Sequence, residues 1–416
     1  METVIILTGG TVGGVFETAA QTLCRTFERA GFEAIGINFA QGDGMARLQT
    51  ALTGKSIYFV LGFVGLAGGL EVTTDGKKKN FWELGEVPYM GLHGDTPAYY
   101  FDRHINGYTG AATLYTFREH YEFRKRMPYR QGMFAVPRLF LFDREPEESM
   151  DFSAKEKGKL FFLKNGLDPQ ALRSLWKVKF PHSIAAALLE LGDTLESRMH
   201  SEVAPDIDAL TVAYFKAKNV DITEIYKLRM MFVAQLDDYL RRVKSTFMAQ
   251  VLRQFPVEIH GVNWEHIDFS GKPCNFVPRA DYAVSRTNMK TALGVIDMSP
   301  NTTSNFHDRP LRAMGMHTLC VTNEQESFTE TFGADLPATF CFEKESLEQR
   351  INDVLTHPKR YVEAGREMTK IFDKKYPEEC FVADIVGLAD ALRVGSLKHH
   401  ISGMQEFFVW PPESIQ

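Results

Sequence analysis

A single stretch, Val295 to Asn323, narrows the possible folds more than any other part of the chain. It opens with apolar Val295, Ile296 and Met298, the pattern of a buried strand. A polar loop rich in Asn, Thr and Ser follows. His307-Asp308-Arg309 then begins a short helical pattern carried by Leu311, Ala313 and Met314, and Thr318 to Thr322 is a second strand. Strand, loop, helix and strand form one βαβ unit, the connection that adjacent parallel strands require. Its loop lies at the carboxyl end of the sheet, where such folds bind ligands. An arginine at a helix start, among free backbone N–H groups, suits a phosphate.

The first half of the chain repeats this alternation. Val4 to Leu7 reads as a buried strand running into Thr8-Gly9-Gly10-Thr11-Val12-Gly13-Gly14. Phe16, Ala19, Ala20, Leu23, Phe27 and Ala30 then share one helix face, and Gly31 ends the helix. Gly13 and Gly14 let the backbone approach a ligand at that helix start, with a plain tight turn as the bland alternative. The dinucleotide fingerprint fails: there is no G-x-G-x-x-G, and no acidic residue closes the second strand, Ala34 to Phe39. Nicotinamide chemistry is therefore a distant reading.

Ser56 to Val64 is uniformly apolar, as expected for a strand covered on both faces. Lys77-Lys78-Lys79 reads as a solvated turn. Pro88 to Leu92 is a fourth strand that leads into His93-Gly94-Asp95-Thr96-Pro97. His93 and Asp95 are candidate proton carriers at the strand's end. The alternatives are a structural imidazole and a turn cap. Pro137 to Phe142 reads as a further strand, and the acidic stretch Asp143 to Lys157 as an inter-domain linker.

The chain has 416 residues, enough for two domains. We expect an N-terminal domain over 1–150 and a second over 151–390, with the tail 391–416, including Phe407-Phe408-Val409-Trp410, packing back on the first. A formal charge of −6 gives no support to a nucleic-acid partner. No apolar run reaches membrane-spanning length, and the start, Met1-Glu2-Thr3, is unlike a signal peptide. The expectation is a cytoplasmic protein without stable membrane insertion. Five scattered cysteines without metal spacing read as buried free thiols, and no metal site is expected.

In the second half Lys159 to Leu163 starts a strand that ends in Lys164, a possible phosphate partner or an ordinary surface lysine. Ile184 to Leu195 and Ala209 to Leu252 read as long helices, giving a helical segment over 184–252. Asp206-Ile207-Asp208 looks like a metal pair, but helix capping accounts for it. Val257 to Ile259 is a strand followed by His260-Gly261-Val262-Asn263-Trp264, where an aromatic and an amide could hold a base or close the core. Thr339 to Phe342 is a short strand, and Ser346-Leu347-Glu348-Gln349 is a capping box opening the next helix.

An ordered series of segments carries a resemblance. These are P-V-E-I-H-G-V-N-W from Pro256, D-Y-A-V from Asp281, and A-L-G-V-I-D-M-S-P from Ala292. H-D-R-P-L-R-A-M-G from His307, T-L-C-V-T-N from Thr318 and S-L-E-Q-R-I-N-D-V-L-T-H-P from Ser346 complete it. Over roughly Val257 to Phe372 the chain resembles the spore-maturation CgeB type of glycosyltransferase, relatives of the group 1 glycosyltransferases with the GT-B fold. The resemblance implies an α/β protein with two Rossmann-like domains facing across a cleft. The second domain would bind a nucleotide diphosphate sugar and the first an acceptor. It implies no metal and no cofactor beyond that donor. Arg309 becomes the diphosphate residue, Asn305 and His307 line the donor pocket, and Gly261, Asn263 and Trp264 lie beside the base. Gly13 and Gly14 would face the phosphates or acceptor. Ser304 and Arg312 stand where many relatives carry a glutamate pair, and His317 where a glycine is usual.

The chemistry of glycosyl transfer asks for a cradle for a leaving diphosphate, a base for the acceptor hydroxyl, and exclusion of water. Arg309 with Lys164 suits the first, and His93 or Asp95 the second. Glycan, lipid-linked glycan and protein acceptors stay open. The alternatives are a non-catalytic GT-B-like protein that binds a glycan or partner, and a nucleotide-sugar epimerase or hydrolase.

Overall fold

The structure is a computed structural model that describes residues 1–10, 14–104, 110–127, 132–141, 143–279, 282–397 and 404–406. The chain divides into two compact units, Met1–Phe142 with Tyr376–Gln416, and Asp143–Lys375. The sequence reading set the division at 150/151 and the return at 391.

The first unit is built on strands β1 (Thr3–Thr8), β2 (Glu33–Asn38), β3 (Ile57–Phe63), β6 (Tyr89–His93), β7 (Ala111–Tyr115), β8 (Gly132–Ala135) and, from the chain's end, β15 (Met404–Glu406). They form a seven-stranded sheet in the order β15-β8-β7-β6-β3-β1-β2, with every pairing parallel. A separate antiparallel hairpin joins β4 (Glu71–Thr74) to β5 (Lys77–Asn80). The three lysines expected in a turn are thus an exposed strand, and Asp75-Gly76, both at positive φ, make the turn. Val4, Ile5, Ile6 and Leu7 are all fully buried because helices cover both faces. Leu23 and Phe27 of helix Val15–Arg29 share one core with Ile385, Leu388 and Leu392 of helix Glu378–Leu397, and Leu48 and Trp82 pack on the opposite face. The segment expected as strand 137–142 is not a strand over 137–141; pairing with β7 falls to Gly132–Ala135 instead. Residue 142 lies outside the described residues.

The second unit carries β9 (Leu160–Leu163), β10 (Glu258–His260), β11 (Asn275–Val277), β12 (Gly294–Ile296), β13 (Leu319–Asn323) and β14 (Ala338–Phe340). All pairings are parallel, in the order β11-β10-β9-β12-β13-β14. Counted within the unit this is the 3-2-1-4-5-6 order of a Rossmann sheet, with the reversal between β9 and β12. The long helical pattern of residues 209–252 is two helices, Ile207–Ala217 and Tyr226–Leu252. Asn219 adopts φ +59 between them, a left-handed step that asparagine tolerates. Asp206 caps the first through the Ala209 amide at 3.0 Å, and Asp208 pairs with Arg229 at 2.8 Å. The acidic stretch after 143 is not a linker. Its Glu145 amide bonds the Gly315 carbonyl at 2.9 Å, and buried Lys155 donates to the Met289 carbonyl at 3.1 Å. Ser346 does not open its helix, which begins at Lys344; its hydroxyl accepts from the Cys341 amide. All five cysteines are free, but only Cys320 is fully buried.

Candidate functional site

The reversal in strand order places the ends of β9 and β12 side by side in the second unit. Neighbouring crossovers leave in opposite directions there, and a crevice opens at the strands' carboxyl ends. Lys164 follows β9 directly, and Asp297 follows β12 directly. Arg309, the second residue of helix Asp308–Gly315, reaches both: its Nε donates to Asp297 Oδ1 at 2.5 Å and its Nη1 to the Leu163 carbonyl at 3.3 Å. Its side chain is 15% exposed and that of Asp297 is 0% exposed. The guanidinium anticipated as free for a ligand is therefore already partnered. Burial opposes the Arg309 charge, but Asp297 and Asp308 outweigh it and raise the pKa.

Lys164 is the group left over. Its ammonium has no hydrogen-bond or ion-pair partner among the described residues. Burial, with Arg309 and Arg241 nearby, brings its pKa down to about 7 despite the pull of Asp297 and Asp308. Its backbone is fixed on both sides: the N–H donates to the His260 carbonyl at 3.0 Å, and the carbonyl accepts from Trp264 Nε1 at 2.8 Å. Gly261 passes so close that a Cβ there would sit 2.0 Å from the Lys164 carbonyl oxygen, at a φ of +157. This contact requires glycine. Asn263, at φ +62, continues the turn, and Val262 donates to the Asn165 side chain at 3.1 Å. Trp264 is 2% exposed and stacks at 5.7 Å on His266, so it braces the two loops rather than offering a face to a base.

The loop after β12 is held from behind. Asn301, at φ +59, donates to Asp237 Oδ1 at 3.0 Å and accepts from Lys244 at 2.8 Å, both on helix Tyr226–Leu252. Ser299 donates its amide to Asn323 Oδ1 at 2.7 Å. Asn305 is buried and accepts from the Phe306 amide at 2.9 Å, and Ser304 is buried as well. Four buried polar atoms at the ends of β12 and β13 have no hydrogen-bond partner: Asp297 Oδ2, Thr302 Oγ1, Gln325 Oε1 and Ser327 Oγ. Orphaned polar atoms are uncommon in a folded interior.

The helix start is less welcoming to an anion than its sequence suggests. Pro310 removes one of the first amide donors, and the Asp308 carboxylate sits there. Arg312 bonds Asp308 at 2.5 Å, and His307 Nδ1 lies 2.5 Å from its other oxygen. Burial works to raise the Asp308 pKa, yet Arg312, His307 and Arg309 hold it well below the usual carboxylate range. Arg312 thus serves an ion pair within its own helix. Lys164, Arg309 and Arg312 face two carboxylates, Asp297 and Asp308, which leaves the crevice with a positive excess. His317 adopts φ +49, the conformation that favours glycine, and its Nε2 lies 2.9 Å from the Glu145 carbonyl.

In the first unit, β6 ends at His93. Its ring is 2% exposed, lies 3.9 Å from that of His104, and has no partner at Nε2. Burial, then Arg103, brings its pKa down to about 3, against a smaller opposing pull from Asp95. Asp95 is partly exposed. Gly14 caps helix Val15–Arg29 at φ +73, while Glu17 of the first turn accepts from Asn38 at 3.0 Å. Gly13 lies outside the described residues, as do His399, His400 and residues 407–410.

Lys164, Arg309, Asn305 and His307 were singled out in the sequence and lie after β9 or in the loop and helix after β12; Asp297, Thr302, Gln325 and Ser327, at the ends of β12 and β13, were not. Asp297 carried a signal: it is the first polar residue after an apolar strand in the central βαβ unit.

Neither a protein-family model nor a curated protein sequence matches the chain. Its structure is similar to that of sucrose-phosphate synthase from Thermosynechococcus elongatus, with a TM-score of 0.53 at 9% identity over 95% of this chain and 100% of that one. It is also similar to an α-glucosyltransferase in complex with UDP and a 13-mer DNA containing a central A:G mismatch (TM-score 0.48, 11% identity, 92% and 99% covered). A glycosyltransferase from Rickettsia africae follows (TM-score 0.45, 10% identity, 94% and 98% covered). The shared feature is the fold: α/β, with two Rossmann-like domains, as in the GT-B glycosyltransferases. Among the described residues no helix is long and apolar enough to cross a membrane.

Proposed function

We propose that this protein is a glycosyltransferase that moves a sugar from a nucleotide diphosphate sugar to a hydroxyl acceptor on a glycan, a lipid-linked glycan or a protein. The observation that carries the reading is the crevice at β9 and β12. An unpartnered ammonium, Lys164, stands there beside a clamped guanidinium, Arg309, and a set of orphaned polar atoms. Such a site binds a polyanion with hydroxyls attached better than it binds water.

In the proposed reaction the acceptor oxygen attacks the anomeric carbon and the bond from that carbon to the diphosphate breaks. Lys164 and Arg309 offset the charge that gathers on the leaving diphosphate, without a metal ion. The acceptor proton passes to a carboxylate. Asp95 is assigned that role in preference to His93, because Asp95 is partly exposed and open to an acceptor whereas the His93 ring is buried. Asn305 and His307 remain the assigned donor-pocket residues, and the site is proposed to act in the cytoplasm.

The test is nucleoside diphosphate release from UDP- and GDP-sugars, with and without acceptors, alongside thermal shifts with UDP and GDP. Lys164→Met should abolish the shift. Asp95→Asn should keep the shift and lower turnover by at least ~100-fold. Binding without transfer would mean a non-catalytic sugar-nucleotide binder, and sugar inversion without acceptor an epimerase. If no nucleoside diphosphate raises the melting temperature, the proposal fails.

A further inference from the structure

The first unit holds a groove of about 480 Å³ that the proposed reaction does not use. It lies between one face of helix Val15–Arg29 and the outer edge of β2, the last strand of the sheet. Glu17, Gln21, Cys24, Arg25 and Glu28 line the helix side, spaced by three or four residues so that they share one face. Ala34, Gly36 and Asn38 line the strand side.

Those three strand positions follow from the hydrogen-bond ladder. Glu33 donates its amide inward to Glu2 at 3.0 Å and Phe39 to Thr8 at 2.8 Å. In a parallel ladder alternate residues turn both backbone groups to the same neighbour. Ala34, Gly36 and Asn38 therefore turn theirs outward. The Gly36 carbonyl confirms it, because it accepts from exposed Arg47 Nη2 at 3.0 Å. Among the described residues no strand pairs with this edge. From Ala34 to Asn38 the strand spans about 13 Å, and the facing helix from Glu17 to Glu28 about 16 Å, long enough to flank it throughout.

We propose that this groove docks an extended polypeptide, which adds to β2 as a further strand and carries an acidic side chain opposite Arg25. The amides of Ala34, Gly36 and Asn38 recur along the edge at the spacing of an extended chain and give such a segment its affinity, with the Ala34 carbonyl as acceptor; the Asn38 carbonyl already accepts from the Gln41 amide at 3.2 Å. The floor is small: Ala20, Cys24, Ala34 and Gly36, where a Cβ on Gly36 would already meet Cys24 Sγ at 3.4 Å. Small side chains of the peptide point into it. Arg25 is exposed and makes one hydrogen bond among the described residues, to Thr22 at 3.1 Å, so most of its fork is open to a carboxylate. Arg47 is the guard of the edge: it occupies the Gly36 carbonyl until a peptide displaces it. The lining offers no aromatic face on which a sugar ring could stack.

A phage-displayed library of random octapeptides, panned on the full-length protein, tests this. Enriched peptides should contain an acidic residue. They should slow hydrogen exchange at the Ala34, Gly36 and Asn38 amides by tenfold or more. Gln21→Trp fills the groove from an exposed helix position and should weaken binding at least tenfold; Arg25→Glu should do the same. Arg47→Ala frees the carbonyl and should tighten binding severalfold. The proposal is overturned if no peptide is enriched, or if Gln21→Trp and Arg25→Glu bind enriched peptides as the wild type does. It is also overturned if neutral oligosaccharides from maltotriose to chitotetraose bind instead and lose binding in Gln21→Trp. Nucleotide binding is unaffected in all three variants, so this test is separate from that of the transferase reading.

Discussion

Replacing Arg309 by leucine should have two effects that a second substitution can separate. The guanidinium is the partner of Asp297, which is 0% exposed and whose other oxygen has no hydrogen bond. Taking away one member of a buried pair leaves the other charge stranded, at about 3–5 kcal/mol. The Leu163 carbonyl loses a donor as well. With a urea slope of about 3 kcal/mol/M, the unfolding midpoint of the second unit should fall by about 1–2 M. Arg309→Leu combined with Asp297→Asn removes the stranded charge, and most of the stability should return. Nucleoside diphosphate affinity should not return, since the positive charge is still missing. Urea titration by circular dichroism and isothermal titration with UDP and GDP read the two effects independently. If Arg309→Leu lowers stability by less than about 1 kcal/mol, or if the double variant is no more stable than the single, Asp297 is not held by this pair. If the double variant binds nucleotide like the wild type, Arg309 is a structural clamp alone.

Three further outcomes are expected. Lys164 loses its proton near pH 7 in the free protein, and a bound diphosphate favours the charged form. Nucleoside diphosphate affinity should therefore fall as pH rises above 7, by up to about tenfold per unit, and Lys164→Met should bind weakly with a flat profile. Gly261→Ala forces its Cβ against the Lys164 carbonyl, which should lower stability by about 2–4 kcal/mol in a melt and weaken nucleotide binding with it. His93 is depressed to about 3 in the folded chain, so the unfolded chain takes up a proton first as pH falls. Stability is intact above about pH 6.5 and declines below it by up to about 1.4 kcal/mol per pH unit. His93→Gln should reduce the slope between pH 6 and 4 by close to one proton, measured by urea titration at each pH.

The fully buried strands were legible because they need nothing but a short apolar run: Val4–Leu7, Ser56–Val64 and Val295–Met298 all lie on or beside observed strands. Helix caps such as Asp206 were legible for the same local reason. Asn219 ended a helix that the apolar pattern alone carried through, because a single left-handed residue leaves no gap in periodicity. The acidic stretch after Asp143 looked like a linker because its partners, Gly315, Arg286 and Lys290, are far away in sequence.

The sequence by itself determined the alternation of strands and helices, and with it the class of fold and the polar loops at strand ends. It also marked Lys164 and Arg309 as cations beside such loops. Tertiary structure decided which loops meet, because strand order is set by pairing between segments as distant as Leu160 and Gly294. Only that pairing brings the Leu163 carbonyl and Lys164 beside the Asp297–Arg309 pair. Charge at a site depends on which side chains share a space, and chain order does not fix that.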